Sequence, residues 1–421
     1  MNLRFFVTML ISIAVLAVYA DDDAQTELRL NPEIEQGASD CSDDVAVETF
    51  DYSRYPFLRL KHKHIALNGD KWDELGELYR SAIAGDTLFT VVYLGDSHVQ
   101  ADFGGSVLRR RLAHGSSAGR GIAIPFRLAG TNQPNDYSFR MADEYLSSKM
   151  MRMPWSFDMP FTGVGIRPLS GSHTLQLSSP EPASSLRFHT CGSCPEVLAV
   201  RCDGRPVEFS ATIDADGAPL VTLPCKANDF EIELMGDEST VYGGVEFISD
   251  THGVTTHSIG NNGATFASYT GVDNFGTGLH RLRPNLVIVA LGTNEAFGRT
   301  TADDISAAVT DMVRTLQTNC PEAKILLVGP TECYRKVRRR KNRRRSTVSV
   351  INTRAAEMAR AIRTTAESLG VPYLNQYAIA GGAAAMRSAG IMGRDGVHFT
   401  VAGYNLWGNI LADAVIEKLQ P

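Results

Sequence analysis

The sequence predicts an α/β fold, a parallel sheet with helices on both faces, interrupted by an inserted β-rich segment. Three observations predict it. A buried-strand run at Val91–Leu94 passes through Gly95-Asp96-Ser97 into a helical stretch at Phe103–Leu112. After Ile259, apolar runs of strand length alternate with amphipathic helices. Between Gly121 and Asp237 the rhythm changes to short alternating runs separated by turn sequences.

Taken in order, residues 1–20 place Arg4 before an apolar stretch that ends in Val18-x-Ala20, followed by three aspartates. This reads as a secretory signal peptide cleaved after Ala20. The apolar segment is short and lacks a basic stop-transfer flank, so no integral membrane span is expected in the mature chain. Residues 21–50 are acidic and polar and read as a flexible linker. The first part of the α/β domain, 51–120, opens with a helix over Trp72–Ala84 that carries Leu75, Leu78, Tyr79 and Ile83 on one face.

The insertion, 121–237, alternates at Thr174–Leu177, Leu186–His189, Val197–Val200 and Phe230–Leu234. Turns at Ser170-Gly171-Ser172, Asp203-Gly204 and Asp214-Ala215-Asp216-Gly217 separate these runs, the pattern of a small antiparallel sandwich. Such an element serves as a lid or spacer, or as a carbohydrate-binding-module-like domain beside a cleft. The remainder, 238–421, returns to α/β order. Strands are expected at Leu286–Gly292, Lys324–Gly329 and Val371–Leu374. Helices are expected at Ala302–Gln317 behind Thr300/Thr301, at Val348–Leu369 ended by Gly370, and at Ala402–Leu419 capped by Thr400.

With 421 residues, 43% hydrophobic and 21% charged, the chain is globular and long enough for two structural units. A net charge of −6 gives no reason to expect a nucleic-acid partner. One tract departs from that balance. Arg335–Arg345 holds nine basic residues in eleven, which leaves about −15 for the rest of the chain. It follows the strand at Lys324–Gly329, so it leaves from the sheet edge that carries Ser97. It reads either as a solvated loop or as a rim, with Arg335, Lys336, Arg338, Arg339 and Arg340 contacting an anionic polymer. The seven cysteines are odd in number, and Cys191-x-x-Cys194 has no second ligand pair, so structural roles are expected and no metal site.

The chemistry centres on Ser97. A hydroxyl at the carboxyl end of a parallel strand faces the crevice where such sheets bind ligands, although a helix cap is the plainer role for a serine there. A serine hydroxyl needs a base, and His398 is the candidate, with Asp395 three residues earlier to hold the other ring nitrogen. His62, His64, His252 and His257 read as surface or loop residues. Four blocks in order, GDSH, IGNNGATF, LGTNE and GRDGVHFT, resemble those of the SGNH (GDSL) hydrolases. The longer stretches GDSHVQADF, NNGATF, GTNEAF and GRDGVHFTVAGY are similar to exported peptidoglycan O-acetylesterases, which also carry a β-rich insertion between the first two blocks.

The resemblance covers 88–103 and 256–419 and is vague through the insertion. It implies a flavodoxin-like α/β sandwich with Ser97 as nucleophile, His398 as base and Asp395 as its orienting partner. It also implies an oxyanion hole from the N–H of Ser97, the N–H of Gly263 and the amide of Asn294, with no cofactor. His98 stands where the family commonly has leucine, and Glu295 where aspartate is common. The expected activity is acetyl-ester hydrolysis on a cell-wall glycan, peptidoglycan foremost, in an exported, periplasmic or secreted protein. Esterases of other acetylated polysaccharides or lipids, an O-acetyltransferase and a silent glycan-binding protein are the alternatives.

Overall fold

Alternate residues of the central strands divide the core. In Leu88–Gly95, Phe89, Val91 and Tyr93 pack into one apolar layer, and Val92 and Leu94 into the other. Leu286 and Ile288 divide from Val287 and Val289 in the same way. A strand sends successive side chains to opposite faces, so an unbroken apolar run demands cover on both sides. Each such buried aliphatic contributes about 1.5–3 kcal/mol relative to exposure. The helices Asp73–Ile83, Phe103–Ala113 and Val401–Leu419 cover one face. Phe266–Thr270, Ala302–Asn319 and Thr353–Leu369 cover the other.

The structure, a computed structural model, describes residues 50–341 and 344–420, with side chains described outside 340–345. The signal-peptide and most of the linker readings, and Cys41, lie outside the described residues. The α/β sheet has seven strands in the order Ile65–Ala66, Tyr373–Leu374, Lys324–Val328, Leu286–Ala290, Leu88–Gly95, Gly253–Gly260, Ser117–Gly119. All neighbours are parallel except the first pair. The register sets Gly260 and Ala290 on either side of Gly95, so three strands far apart in sequence end at one level. A Cβ on Gly95 would press on the Val99 side chain and lie 2.8 Å from Ala290 O, so only glycine permits this approach.

The β-rich stretch forms one branched ten-stranded sheet built on two long strands, Ser172–Cys191 and Pro219–Met235. Runs that read as separate short strands in the sequence are continuous here. Pro180 and Pro182 and the register shifts at Thr222, Ala227 and Asp229 explain the apparent breaks, because bulges admit residues that a regular ladder excludes. The sheet also continues past Asp237, where the sequence placed its end, because Val241–Ile248 pairs with Ser172–Cys191 and Gly121–Ala123. Its core is continuous with one face of the α/β sheet: Ile122, Phe139 and Leu175 share a cluster with Val92 and Leu94.

Two further expectations are corrected. The helix read as starting at Val348 starts at Thr353, because Val348, Val350 and Ile351 belong to a strand, Arg344–Ile351. That strand pairs with Tyr334–Lys341, so the basic tract is a two-stranded hairpin. Arg335 and Arg338 stand opposite the β-branched Val350 and Thr347, a pairing that suits a strand pair with two wetted faces. His257, read as a surface residue, is buried in Gly253–Gly260, where its Nδ1 accepts the Ile122 N–H at 3.2 Å. Among the described residues, no helix is long and apolar enough to cross a membrane, and the six described cysteines are unpaired thiols.

Candidate active site

Ser97 opens a four-residue helix, Ser97–Gln100, at the carboxyl end of the central strand. The cap of that helix is Asp96, whose Oδ1 accepts the His98 N–H at 2.9 Å, and the serine hydroxyl is left for other work. Ser97 Oγ lies 2.8 Å from His398 Nε2. His398 Nδ1 donates to Asp395 Oδ2 at 2.6 Å, and the other Asp395 oxygen accepts the backbone N–H of Val397 and of His398. The loop holds this shape through Gly393 N–H to His398 O at 2.7 Å and through Thr400, which caps the last helix.

The charges follow from that geometry. Burial alone would lower the His398 pKa, but the hydrogen bond and charge of Asp395, with the charge of Asp96, raise it above the ordinary 6.5. Burial works to raise Asp395, and the donors from His398 and the Val397 N–H outweigh it, holding the carboxyl at about 2. His98 is enclosed by Phe399 and Tyr404 beside the His398 ring. Desolvation, then the charge of His398, pull its pKa down to about 3, so it packs as a neutral ring where the family commonly has leucine.

The three groups read as oxyanion donors differ in their engagement. The Ser97 and Gly263 N–H groups have no acceptor among the described residues. Gly263 has a φ of +83°, a backbone shape that favours glycine. Asn294 Nδ2 is engaged twice, by Ala264 O at 2.9 Å and by Asp96 Oδ2 at 3.2 Å. The basic hairpin is rooted at this site, with Tyr334 N–H donating to Gly396 O at 2.8 Å and Arg387 lying 3.9 Å over the Tyr334 ring. Arg335, Lys336, Arg338 and Arg339 are exposed, and the Arg340 side chain lies outside the described residues.

Several residues of the site escaped the sequence. Asp96 is buried, and burial pushes its pKa up to about 6. Glu295 is buried beside it and accepts the Phe266 N–H at 2.9 Å; desolvation raises its pKa to about 7. Both stand inside the motifs and were legible as acids, but their burial was not. Gln100, Thr131, Asn132 and Thr162 carry no local signal. Gln100 Oε1 accepts the Asn262 N–H at 2.7 Å, and Gln100 Nε2 donates to Thr131 and Asn132. Asn261 Nδ2 donates to Thr162 O at 2.8 Å, so the β-rich stretch braces the loop that carries Gly263.

A parallel sheet with a serine, histidine and aspartate in hydrogen-bond series at its carboxyl edge is the layout of an α/β serine hydrolase. Residues 241–406 match the family described as GDSL-like Lipase/Acylhydrolase, a region that holds Gly263, Asn294, Asp395 and His398, with Ser97 preceding it. Residues 241–406 thus carry a GDSL-like, or SGNH, acylhydrolase region.

The fold is similar to the structure of a peptidoglycan O-acetylesterase, at 21% identity and a TM-score of 0.68, over 85% of this chain and 99% of that one. A lipase/acylhydrolase from Enterococcus faecalis matches at 17% identity and a TM-score of 0.30, over 40% of this chain and 80% of that one. A catalytic mutant of an acetylxylan esterase from Geobacillus stearothermophilus matches at 16% identity and a TM-score of 0.29, over 40% and 73%. No curated protein sequence matches the chain.

Proposed function

We propose that the protein is an exported serine esterase that removes O-acetyl groups from a cell-wall glycan, peptidoglycan foremost, through an acetyl-enzyme on Ser97. The observation that carries this reading is the series Ser97 Oγ, His398 Nε2, His398 Nδ1, Asp395 Oδ2, with separations of 2.8 and 2.6 Å. The substrate is supported by the likeness to a peptidoglycan O-acetylesterase across both chains, and export by the signal-like residues 1–20.

In this mechanism Ser97 Oγ attacks the acetyl carbonyl carbon while His398 Nε2 takes its proton. Asp395 keeps the tautomer with a proton on Nδ1 and stabilises the imidazolium that forms. The oxyanion is received by the Ser97 and Gly263 N–H groups and by Asn294 Nδ2, which exchanges one present acceptor for the developing charge. Each such donor is worth about 10²–10³ in rate. Collapse expels the sugar hydroxyl with the proton from His398. Water, deprotonated by the same nitrogen, then attacks the acetyl-serine and releases acetate. The hairpin residues Arg335, Lys336, Arg338 and Arg339 form a cationic rim for the acidic polymer.

The test is acetate release from O-acetylated peptidoglycan, acetylated xylan and a lipid ester, with Ser97→Ala as control. Preferential release from peptidoglycan is expected. A faster reaction on xylan or lipid replaces the substrate, and equal activity of Ser97→Ala overturns the serine mechanism.

A further inference from the structure

We propose that Lys149 and Arg152 form an anion subsite beside the oxyanion loop, which takes the free lactyl carboxylate of an acetylated muramic acid, as on a glycan strand without its stem peptide. The inference rests on the glycan-esterase reading and names the feature of the sugar that the enzyme selects.

A cavity of about 230 Å³ is lined by Gln100, Thr131, Lys149, Arg152, Asn261 and Asn262, among others. It brings the end of the strand Tyr145–Lys149 and the turn after it against the loop that carries Gly263. The contact is close: Met151 Cε lies 3.9 Å from where a Cβ on Gly263 would stand. The turn is closed by Arg152 N–H to Lys149 O at 2.9 Å, which keeps the two basic side chains together.

The wall of the cavity has little else to donate. Gln100 Nε2 is given to Thr131 and Asn132, and Asn262 Nδ2 is given to the same two residues. The cations are the uncommitted donors. Lys149 Nζ has Gly130 O at 3.3 Å, which leaves N–H bonds over, and the Arg152 guanidinium has no hydrogen-bond partner among the described residues. Neither forms an ion pair with a carboxylate among the described residues. Two like charges sharing a half-enclosed pocket disfavour each other, and partial desolvation adds to that. Consistent with this, desolvation first and the charge of Arg152 second hold the Lys149 pKa below its ordinary value. An entering carboxylate relieves both effects through charge-assisted hydrogen bonds, whereas a neutral hydroxyl relieves neither.

The probes are two O-acetylated monosaccharides, N-acetylmuramic acid and N-acetylglucosamine, which differ by one lactyl carboxylate. The readout is the ratio of their kcat/KM values, measured at low salt by acetate release. The wild type is expected to favour the acid by about 10-fold or more, the worth of a charge-assisted hydrogen bond. Lys149→Gln with Arg152→Gln should bring the ratio near one. Lys149→Arg, which keeps the charge, should preserve it, and this separates charge from any loss of folding. A wild-type ratio near one, or a ratio unaffected by the double substitution, overturns the subsite and leaves the esterase standing. Absence of acetate release from both sugars by folded wild-type protein overturns the glycan reading and the subsite with it.

Discussion

Asp96 Oδ2 and Asn294 Nδ2 lie 3.2 Å apart, and the other oxygen of that carboxylate accepts the His98 N–H at 2.9 Å. One buried side chain thus joins the helix that starts at Ser97 to the amide proposed to meet the oxyanion. Its negative charge also contributes to the raised pKa of His398. Asp96→Asn is expected to lower kcat by about 10-fold or more with a smaller change in KM, since small misplacements of reacting groups are costly. The acid limb of the pH profile should move down, because a charge that favours the imidazolium is gone. Unchanged kcat and pH profile would remove Asp96 from the positioning role.

Ser97→Ala and His398→Ala should each reduce hydrolysis of a small acetyl ester by about 10³-fold or more, with the protein still folded. Groups that act as one unit are not additive, so the double variant should be scarcely worse than either single one. The measurement is kcat with circular dichroism as the folding control; additive losses would argue that the two residues work separately.

The pH dependence has a definite sign. His398 must be neutral to accept the Ser97 proton, and its pKa is raised above 6.5. Activity should therefore fall as pH drops through a value above 6.5. Asp395→Asn removes the hydrogen-bonded charge and should bring the His398 pKa down. An NMR titration of the His398 ring in the Ser97→Ala background measures the shift directly, and an unshifted ring would place Asp395 outside the relay.

Neutralising Arg335, Lys336, Arg338 and Arg339 to glutamine should lower the ratio of kcat/KM on O-acetylated peptidoglycan to that on a neutral acetyl ester. Exposed charges are screened over about 8–10 Å at physiological salt. The wild-type ratio should shrink as salt rises, and the ratio of the variant should respond little. A ratio indifferent to both salt and substitution makes the hairpin a bystander.

The β-rich stretch should prove inseparable from catalysis. Asn132 Oδ1 accepts from both Gln100 Nε2 and Asn262 Nδ2, at 2.9 and 2.7 Å. Asn132→Ala is expected to reduce turnover of even a small ester by about 10-fold, through a loosened Asn262-Gly263 loop. Steady-state kinetics on a neutral ester decide it; full activity would show the brace to be dispensable.

The sequence by itself determined the elements whose signals are local. The apolar run at Val91–Leu94, the Thr301 and Thr400 caps and Gly370 at a helix end are patterns readable within a few residues. Ser97, Asp395, His398 and Asn294 were legible for the same reason, each standing in a short motif on a strand end or tight loop. Where local signals compete, reading failed. Val348–Ile351 fits a helical period, yet its cross-strand partners in Tyr334–Lys341 make it a strand. The proline-bearing stretch after Ser178 looked like a break, yet the ladder runs through it.

Only the tertiary structure decided what depends on contacts between distant residues. It set Gly260 and Ala290 beside Gly95, buried Asp96, Glu295 and His257, and closed the Gln100–Asn262 contact across a separation of 162 residues. It also brought Lys149 and Arg152 to the loop of Gly263. Burial and electrostatic environment are properties of the packed neighbourhood. The same aspartate or lysine therefore has an ordinary pKa in the open chain and acquires its altered one when the sheet edge and the β-rich stretch close around it.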